Sequence, residues 1–147
     1  LVVAIGREGA NIPVEKALDH VWGYAVGLDM TRRDLQFAMR DKGRPWELGK
    51  AFDASAPMGA LVAAGEVPDI ARAAIWLDVD GERRQSSSID HLIWSIPETI
   101  AYLSEYFHLV PGDLIFTGTP EGVGPVERGA ILHAHVDGLP DLKIRIV

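Results

Sequence analysis

In Ala74-Ile75-Trp76-Leu77-Asp78-Val79-Asp80-Gly81-Glu82-Arg83, the apolar residues Ile75, Leu77 and Val79 alternate with outward-facing positions and run directly into Asp80-Gly81. A period of two is the pattern of a half-buried strand, and Asp-Gly readily takes the positive φ angles of a two-residue hairpin turn. The stretch predicts a β-hairpin. Downstream, Leu114-Ile115-Phe116, residues 130–136 and residues 142–147 read as three further strands, separated by turns rich in glycine, proline and aspartate. Upstream, Trp22-Gly-Tyr-Ala-Val-Gly-Leu28 is aromatic and β-branched with two glycines, which predicts a strand whose backbone another segment approaches closely.

Helical spacing is confined to short stretches. Pro13 opens one in which Val14, Ala17, Leu18 and Val21 recur, ending near Val21. Thr31 followed by Asp34 resembles a capping box and predicts a helix over residues 32–42 that stops at Gly43, with Leu35, Ala38 and Met39 on its apolar side. Residues 43–57 carry two prolines and two glycines and read as an irregular loop, a place where binding groups often sit. Ser95-Ile-Pro-Glu98 is a second capping box, after which Ile96, Ile100, Leu103 and Phe107 keep helical spacing as far as Pro111-Gly112. The expected fold class is therefore mixed α+β and strand-dominated with a few short helices, because strands and helices do not alternate as a doubly wound sheet requires.

Composition narrows the function classes. The 147 residues suit a single domain, and 48% hydrophobic with 24% charged residues argues against disorder, collagen-like repeats and coiled coils. Fourteen basic against 21 acidic residues give a net charge of -7, which disfavours wrapping a nucleic-acid backbone. An acidic chain can still hold an acidic substrate through local cations or a metal ion. The absence of cysteine removes any disulfide framework, thiol nucleophile or cysteine-based zinc site. Leu1-Val-Val-Ala-Ile5 has no initiator Met and no basic flank and is too short to cross a membrane or act as a signal peptide. It reads as a strand entered midway, so residues 1–147 are expected to be one N-terminally incomplete domain.

Chemistry concentrates in Gly23-Tyr-Ala-Val-Gly-Leu-Asp-Met-Thr-Arg-Arg-Asp-Leu-Gln36. A strand ending in Asp29 just before a helix holds that carboxylate on rigid backbone, while Arg33 and Gln36, three apart, share a helix face. On spacing alone two readings stay open: the three converge on one pocket, or Asp29 caps a turn, Arg33 pairs with a surface acid and Gln36 is solvated. Residues 43–53 (Gly-Arg-Pro-Trp-x-x-Gly-Lys-x-Phe-Asp), residues 95–98 (Ser-Ile-Pro-Glu) and residues 111–125 (Pro-Gly-Asp-Leu-Ile-Phe-Thr-Gly-Thr-Pro-Glu-Gly-Val-Gly-Pro) follow in order. Together with residues 23–36 these stretches resemble the fumarylacetoacetate hydrolase family along the whole chain, most closely its small acylpyruvase-type members.

The resemblance implies a β-sandwich or roll like that family's C-terminal domain, and it implies roles. Asp29 matches a carboxylate ligand for a divalent metal, Mg²⁺ or Mn²⁺, which suits a hard oxygen site. Arg33 and Gln36 match substrate-orienting residues, with Gln36 and Lys50 implied in catalysis, Arg33 and Thr119 in substrate binding, Thr119 near the substrate carboxylate, and Lys50 and Arg33 adding positive charge where negative charge develops. Two further ligands, a Glu-x-Glu pair, and a water-activating His-Glu pair are implied upstream of Leu1. The implied reaction is hydrolysis of a carbon-carbon bond in a 2,4-dioxo acid, an acylpyruvate such as fumarylpyruvate, in aromatic-compound catabolism. Such a substrate chelates a metal through its carboxylate and 2-oxo oxygen, and Lewis-acid stabilisation of the enolate left by cleavage is chemistry a divalent ion supplies. The resemblance also implies a homodimer in the cytoplasm, with no membrane or nucleic-acid partner. Decarboxylation, tautomerisation or hydration of a 2-oxo acid on the same site, or binding without turnover if the upstream ligands are missing, are the alternatives.

Other features read more plainly. Gly118, Gly122 and Gly124 lack the Gly-Lys-Ser/Thr and the following helix of a nucleotide loop. His133 and His135 alternate on one strand face without a third ligand at metal spacing, and none of the histidines at 20, 91, 108, 133 and 135 is assigned a catalytic role. Trp22, Trp46, Trp76 and Trp94 are expected in the core or at a subunit contact. Ser86-Ser87-Ser88 stands where relatives of the family often place a glycine-containing turn, which leaves the conformation of residues 86–91 open.

Overall fold

The computed structural model describes residues 1–147. In chain order its strands are β1 (Val2–Ile5), β2 (Val21–Ala25), β3 (Val62–Ala63), β4 (Ala74–Val79), β5 (Glu82–Ser88), β6 (Leu114–Phe116), β7 (Ile131–Val136) and β8 (Leu142–Arg145). Its helices are α1 (Arg33–Arg40), α2 (Glu47–Lys50) and α3 (Ile96–Tyr106). The strands form two four-stranded sheets of orders β3-β2-β1-β6 and β5-β4-β7-β8, antiparallel throughout. The expected strand-dominated α+β class is the one observed.

The unbroken apolar run of β1 is explained by its place between β2 and β6, where Val2, Val3, Ala4 and Ile5 are all buried. Each such Val or Ile withdrawn from water stabilises the fold by roughly 1.5–3 kcal/mol. Val3 and Ile5 share one 22-residue core cluster with Leu132, Ala134 and Val136 of β7 and Val79 of β4, which Ile96 and Ile100 of α3 also join. Asp80 and Gly81 both have positive φ, 52° and 85°, so the Asp-Gly turn closes the β4–β5 hairpin as expected. α3 carries its capping box: the Ser95 amide donates to Glu98 Oε2 at 2.8 Å while Ser95 Oγ accepts from the Glu98 amide.

The close approach expected at β2 is real. Gly23 pairs with Ala63, and a Cβ on Gly23 would lie 2.1 Å from the Val62 carbonyl oxygen. Gly23→Ala should therefore lower the unfolding free energy by about 1–3 kcal/mol, the usual cost of forcing a methyl into filled space. Urea denaturation is the measurement, with Gly65→Ala, where nothing lies within 4 Å, expected to stay within about 0.5 kcal/mol of the parent. Equal midpoints for the two variants would contradict the close-packed register.

Several expectations are corrected. The Thr31–Asp34 capping box does not form: the N-cap of α1 is Arg32 with no side-chain cap, because Thr31 Oγ1 instead accepts from Lys50 Nζ at 2.9 Å. α1 is also shorter than residues 32–42 and fully buries none of its residues: Leu35 and Met39 are half-buried and Ala38 is exposed. Residues 43–57 are not wholly irregular, since α2 forms within them. Phe107 ends α3 as its C-cap and is exposed. Of the two places expected for the tryptophans, core or subunit contact, the core is not the one taken: Trp22, Trp46 and Trp94 are about half exposed, and Trp76 alternates on β4 with the inward residues. Small branched side chains from the two sheets fill that space. Residues 86–88 simply continue β5, pairing with Trp76, Ile75 and Ala74, before a 3₁₀ turn over Ile89–His91.

Candidate active site

Asp29 is fixed by the backbone on either side of it. Beyond β2 the chain stays extended, with Leu28 N donating to Pro57 O at 2.9 Å and Met30 N to Ser55 O at 2.8 Å. Leu28 is buried, so alternation turns the Asp29 side chain the opposite way, 44% exposed, onto a cavity of about 900 Å³. The cavity lies between residues 26–34, the inner residues of β4 and β7, and the segment 118–126 that follows β6. Asp29, Arg33 and Thr119 all line it, whereas Gln36 and Lys50 do not.

Gln36 and Lys50 sit one layer back. Arg33 Nη1 donates to Gln36 Oε1 at 2.7 Å, so the amide holds the guanidinium that faces the cavity. Lys50 Nζ donates to Asp29 Oδ1 at 2.6 Å as well as to Thr31 Oγ1, which places an ammonium behind the carboxylate. The approach depends on Gly49: Arg32 N donates to Gly49 O at 2.9 Å, and a Cβ on Gly49 would lie 2.9 Å from the Gln36 amide nitrogen. Glycine lets α2 seat against α1, and α2 then delivers Lys50 to Asp29 over 21 residues of sequence.

Two participants escaped the reading of the sequence. Thr31 resembled a helix cap, and the cation that claims its hydroxyl is remote in sequence. Gln85 is 9% exposed on a strand with no apolar residue, and its Nε2 donates to Pro120 O at 2.7 Å and Glu121 O at 3.4 Å. A seven-residue strand without an apolar side chain was itself a signal, since any position it buries must be polar and partnered.

The histidine pair of β7 serves a different purpose from a metal site. Asp141 lies between them, with Oδ2 at 2.5 Å from His133 Nε2 and Oδ1 at 2.6 Å from His135 Nδ1, and His135 Nε2 reaches Asp137 Oδ1 at 3.0 Å. Burial pulls the His135 pKa down, but the hydrogen bonds to Asp141 and Asp137 outweigh it and leave the ring above its usual value. Hydrogen bonds from His135 and His133 in turn hold the Asp141 carboxyl below its usual range. Both nitrogens of His135 and Nε2 of His133 are thus engaged in fastening the 137–141 turn to β7. The Trp76 ring stacks on His135 at 4.7 Å, and the Arg83 guanidinium lies over the Trp76 ring at 3.9 Å.

As a metal ligand Asp29 fits in part. Its carboxylate is a hard oxygen donor facing the cavity with Oδ2 free of protein partners, as Mg²⁺ or Mn²⁺ requires. One carboxylate is too few to hold such an ion, and residues 1–147 contain no group of three or more His, Cys, Asp or Glu that could do so. Asp29 therefore fits as one contributor to a set completed by other residues, substrate and water. No helix is long and apolar enough to cross a membrane.

Comparison with known proteins agrees with this architecture along its whole length. The family model for the fumarylacetoacetate (FAA) hydrolase C-terminal region matches residues 1–147. A fumarylpyruvate hydrolase of a Ralstonia species is 47% identical over 146 residues, 99% of this chain and 76% of that protein. The mitochondrial oxaloacetate tautomerase FAHD1 of Mus musculus is 42% identical over 146 residues, 99% of this chain and 66% of that protein. The crystal structure of fumarylpyruvate hydrolase from Pseudomonas aeruginosa in complex with Mn²⁺ and pyruvate superposes with a TM-score of 0.96 at 63% identity, covering 99% of this chain and 63% of that one. The chain thus spans roughly two thirds to three quarters of the length of these relatives. With its paired antiparallel sheets, its ordered motifs and a match over every residue, the chain belongs to the fumarylacetoacetate hydrolase family.

Proposed function

We propose that residues 1–147 form the single catalytic core of a divalent-metal-dependent hydrolase that cleaves the carbon-carbon bond of a 2,4-dioxo acid, an acylpyruvate such as fumarylpyruvate. The observation that carries this reading is the cavity onto which Asp29, Arg33 and Thr119 all face, with Lys50 directly behind the carboxylate. It draws support from two relatives named fumarylpyruvate hydrolases, one of them in complex with Mn²⁺ and pyruvate. The overall reaction balances: water adds across the bond between the second carbonyl carbon and its neighbouring CH₂, giving the acyl carboxylate and pyruvate.

Within the site, Asp29 is the ligand this chain offers, and a bound Mg²⁺ or Mn²⁺ would supply Lewis-acid polarisation of the substrate oxygens. Arg33 presents a planar cation that pairs with a carboxylate through two parallel hydrogen bonds, and Gln36 keeps it aimed. Thr119 offers a hydroxyl to the same carboxylate from the opposite wall. Lys50 places positive charge beside the region where negative charge develops, and orients Asp29 at the same time. The Glu-x-Glu ligands and the water-activating His-Glu pair that the family resemblance implies would complete the set. A cytoplasmic homodimer is part of the same proposal.

A tautomerase reading has one specific support, the 42% identity to an oxaloacetate tautomerase along the whole chain. The two are separated by incubating the full-length protein and Mn²⁺ with fumarylpyruvate and, in parallel, with enol oxaloacetate. Hydrolysis predicts loss of the acylpyruvate absorbance with fumarate and pyruvate appearing together by NMR. Unchanged absorbance alongside accelerated enol-keto conversion of oxaloacetate would replace the hydrolase reading with tautomerisation.

A further inference from the structure

Residues 118–126 carry Thr119 into the cavity, yet none of them takes part in a backbone–backbone hydrogen bond. Thr117, just before them, is tied to Leu1 O through its amide and its hydroxyl, both at 3.1 Å, and the next tether is Ala130 N to Glu127 O. Between those points the protein hydrogen bonds come from one side chain, Gln85, whose Nε2 donates to Pro120 O and Glu121 O.

Two backbone features make this contact possible. β5 bulges opposite β4: Leu77 pairs with Gln85 but Asp78 pairs with Arg83, so Arg84 is an extra residue. Bulges re-aim side chains and backbone groups next to sites. Here the bulged Arg84 carbonyl faces Gly122, so closely that a Cβ on Gly122 would lie 2.0 Å from it, and Gly122 has φ +92°. A segment without internal hydrogen bonds is thus docked on β5 by the Gln85 amide and the close approach of Gly122, with Val126 at its far end packed against the core.

We propose that Gln85 is the positioning residue of the site: its side-chain amide clamps residues 118–126 to β5 and thereby holds Thr119 in place for the substrate carboxylate. The last clause rests on the proposed function, whereas the clamp itself does not. Gln85 also lies on the cavity wall, and the role assigned to it is through the segment its amide holds. It is distinct from Gln36, which holds Arg33 on the opposite wall.

The test compares full-length protein with Gln85→Met, which keeps the length and volume of the side chain but removes the donor. Amide ¹⁵N order parameters across residues 118–126 should drop from about 0.85 to below about 0.6, while those of β4 and β7 stay unchanged. With Mn²⁺ and fumarylpyruvate, KM should rise about tenfold, the loss expected for one or two neutral hydrogen bonds, and kcat should change less than threefold. Gly122→Ala attacks the same docking from the segment side, so the double variant should be little worse than either single one. Should Gln85→Met fail to fold, Gly122→Ala alone must show the mobile segment. A segment that stays rigid in the variants, or additive losses in the double variant, would overturn the proposal. If the parent protein turns over no 2-oxo acid, the proposed function fails, and the order parameters still decide the clamp.

Discussion

Asp29→Asn in the full-length protein should weaken Mn²⁺ binding by at least about 100-fold, because even residues that merely support a ligand are worth 10- to 100-fold in metal affinity. kcat/KM for an acylpyruvate should fall by about 10³, corresponding to roughly 4 kcal/mol of lost transition-state stabilisation when Lewis-acid chemistry is disabled. Folding should barely register the change. The Lys50–Asp29 pair is substantially exposed, with side-chain accessibilities of 33% and 44%, and exposed pairs contribute about 0–1 kcal/mol. Lys50 also keeps Thr31 Oγ1 as an acceptor in the variant. Mn²⁺ titration, steady-state kinetics and urea denaturation on one preparation check the three parts together. An Asp29→Asn protein that binds Mn²⁺ as tightly as the parent removes Asp29 from the ligand set. One that loses several kcal/mol of stability makes Asp29 a structural residue.

Lys50→Met separates charge from coordination, because its two effects should have opposite signs. Deleting an ammonium 2.6 Å from Asp29 Oδ1 removes a cation that repels a metal at the same carboxylate, so Mn²⁺ should bind equally well or up to about fivefold tighter. kcat should nevertheless fall about 100-fold, the usual cost of losing one positive group beside developing negative charge. KM for the substrate should move far less than kcat, since Arg33 and Thr119 face the cavity and Lys50 does not. The metal titration and the kcat/KM split are the readouts. A simple packing role predicts parallel loss of stability, metal and turnover, and that pattern would remove Lys50 from the mechanism.

How much of this was legible beforehand depends on how far apart the interacting residues lie. The Asp80-Gly81 hairpin, the Ser95–Glu98 capping box and the buried run of β1 are local patterns, and each appears as read. Gly23 announced a close approach without naming its partner, which is the Val62 carbonyl some 40 residues on. Failures came where a remote group outbid a local one. Thr31 has the spacing of a helix cap, but a charged ammonium makes a stronger hydrogen bond than a backbone amide, and α2 brings Lys50 within 2.9 Å. The apolar side of α1 has good periodicity yet is nowhere fully buried, because the depth of burial depends on what packs against the helix, which periodicity does not specify.

The sequence by itself determined the family and the strand-dominated class and put forward the candidate residues of the site, because motif spacing, turn chemistry and alternation are properties of short stretches. Only the tertiary structure decided which of those residues share the cavity and which stand behind it. Asp29, Arg33 and Thr119 meet there because β2, α1 and the segment after β6 end at one place, while Gly49 and the bulge at Arg84 let Lys50 and Gln85 reach the groups they hold. These are contacts across 19 to 36 residues of chain, set by how α1, α2 and the two sheets pack, and no local pattern encodes them.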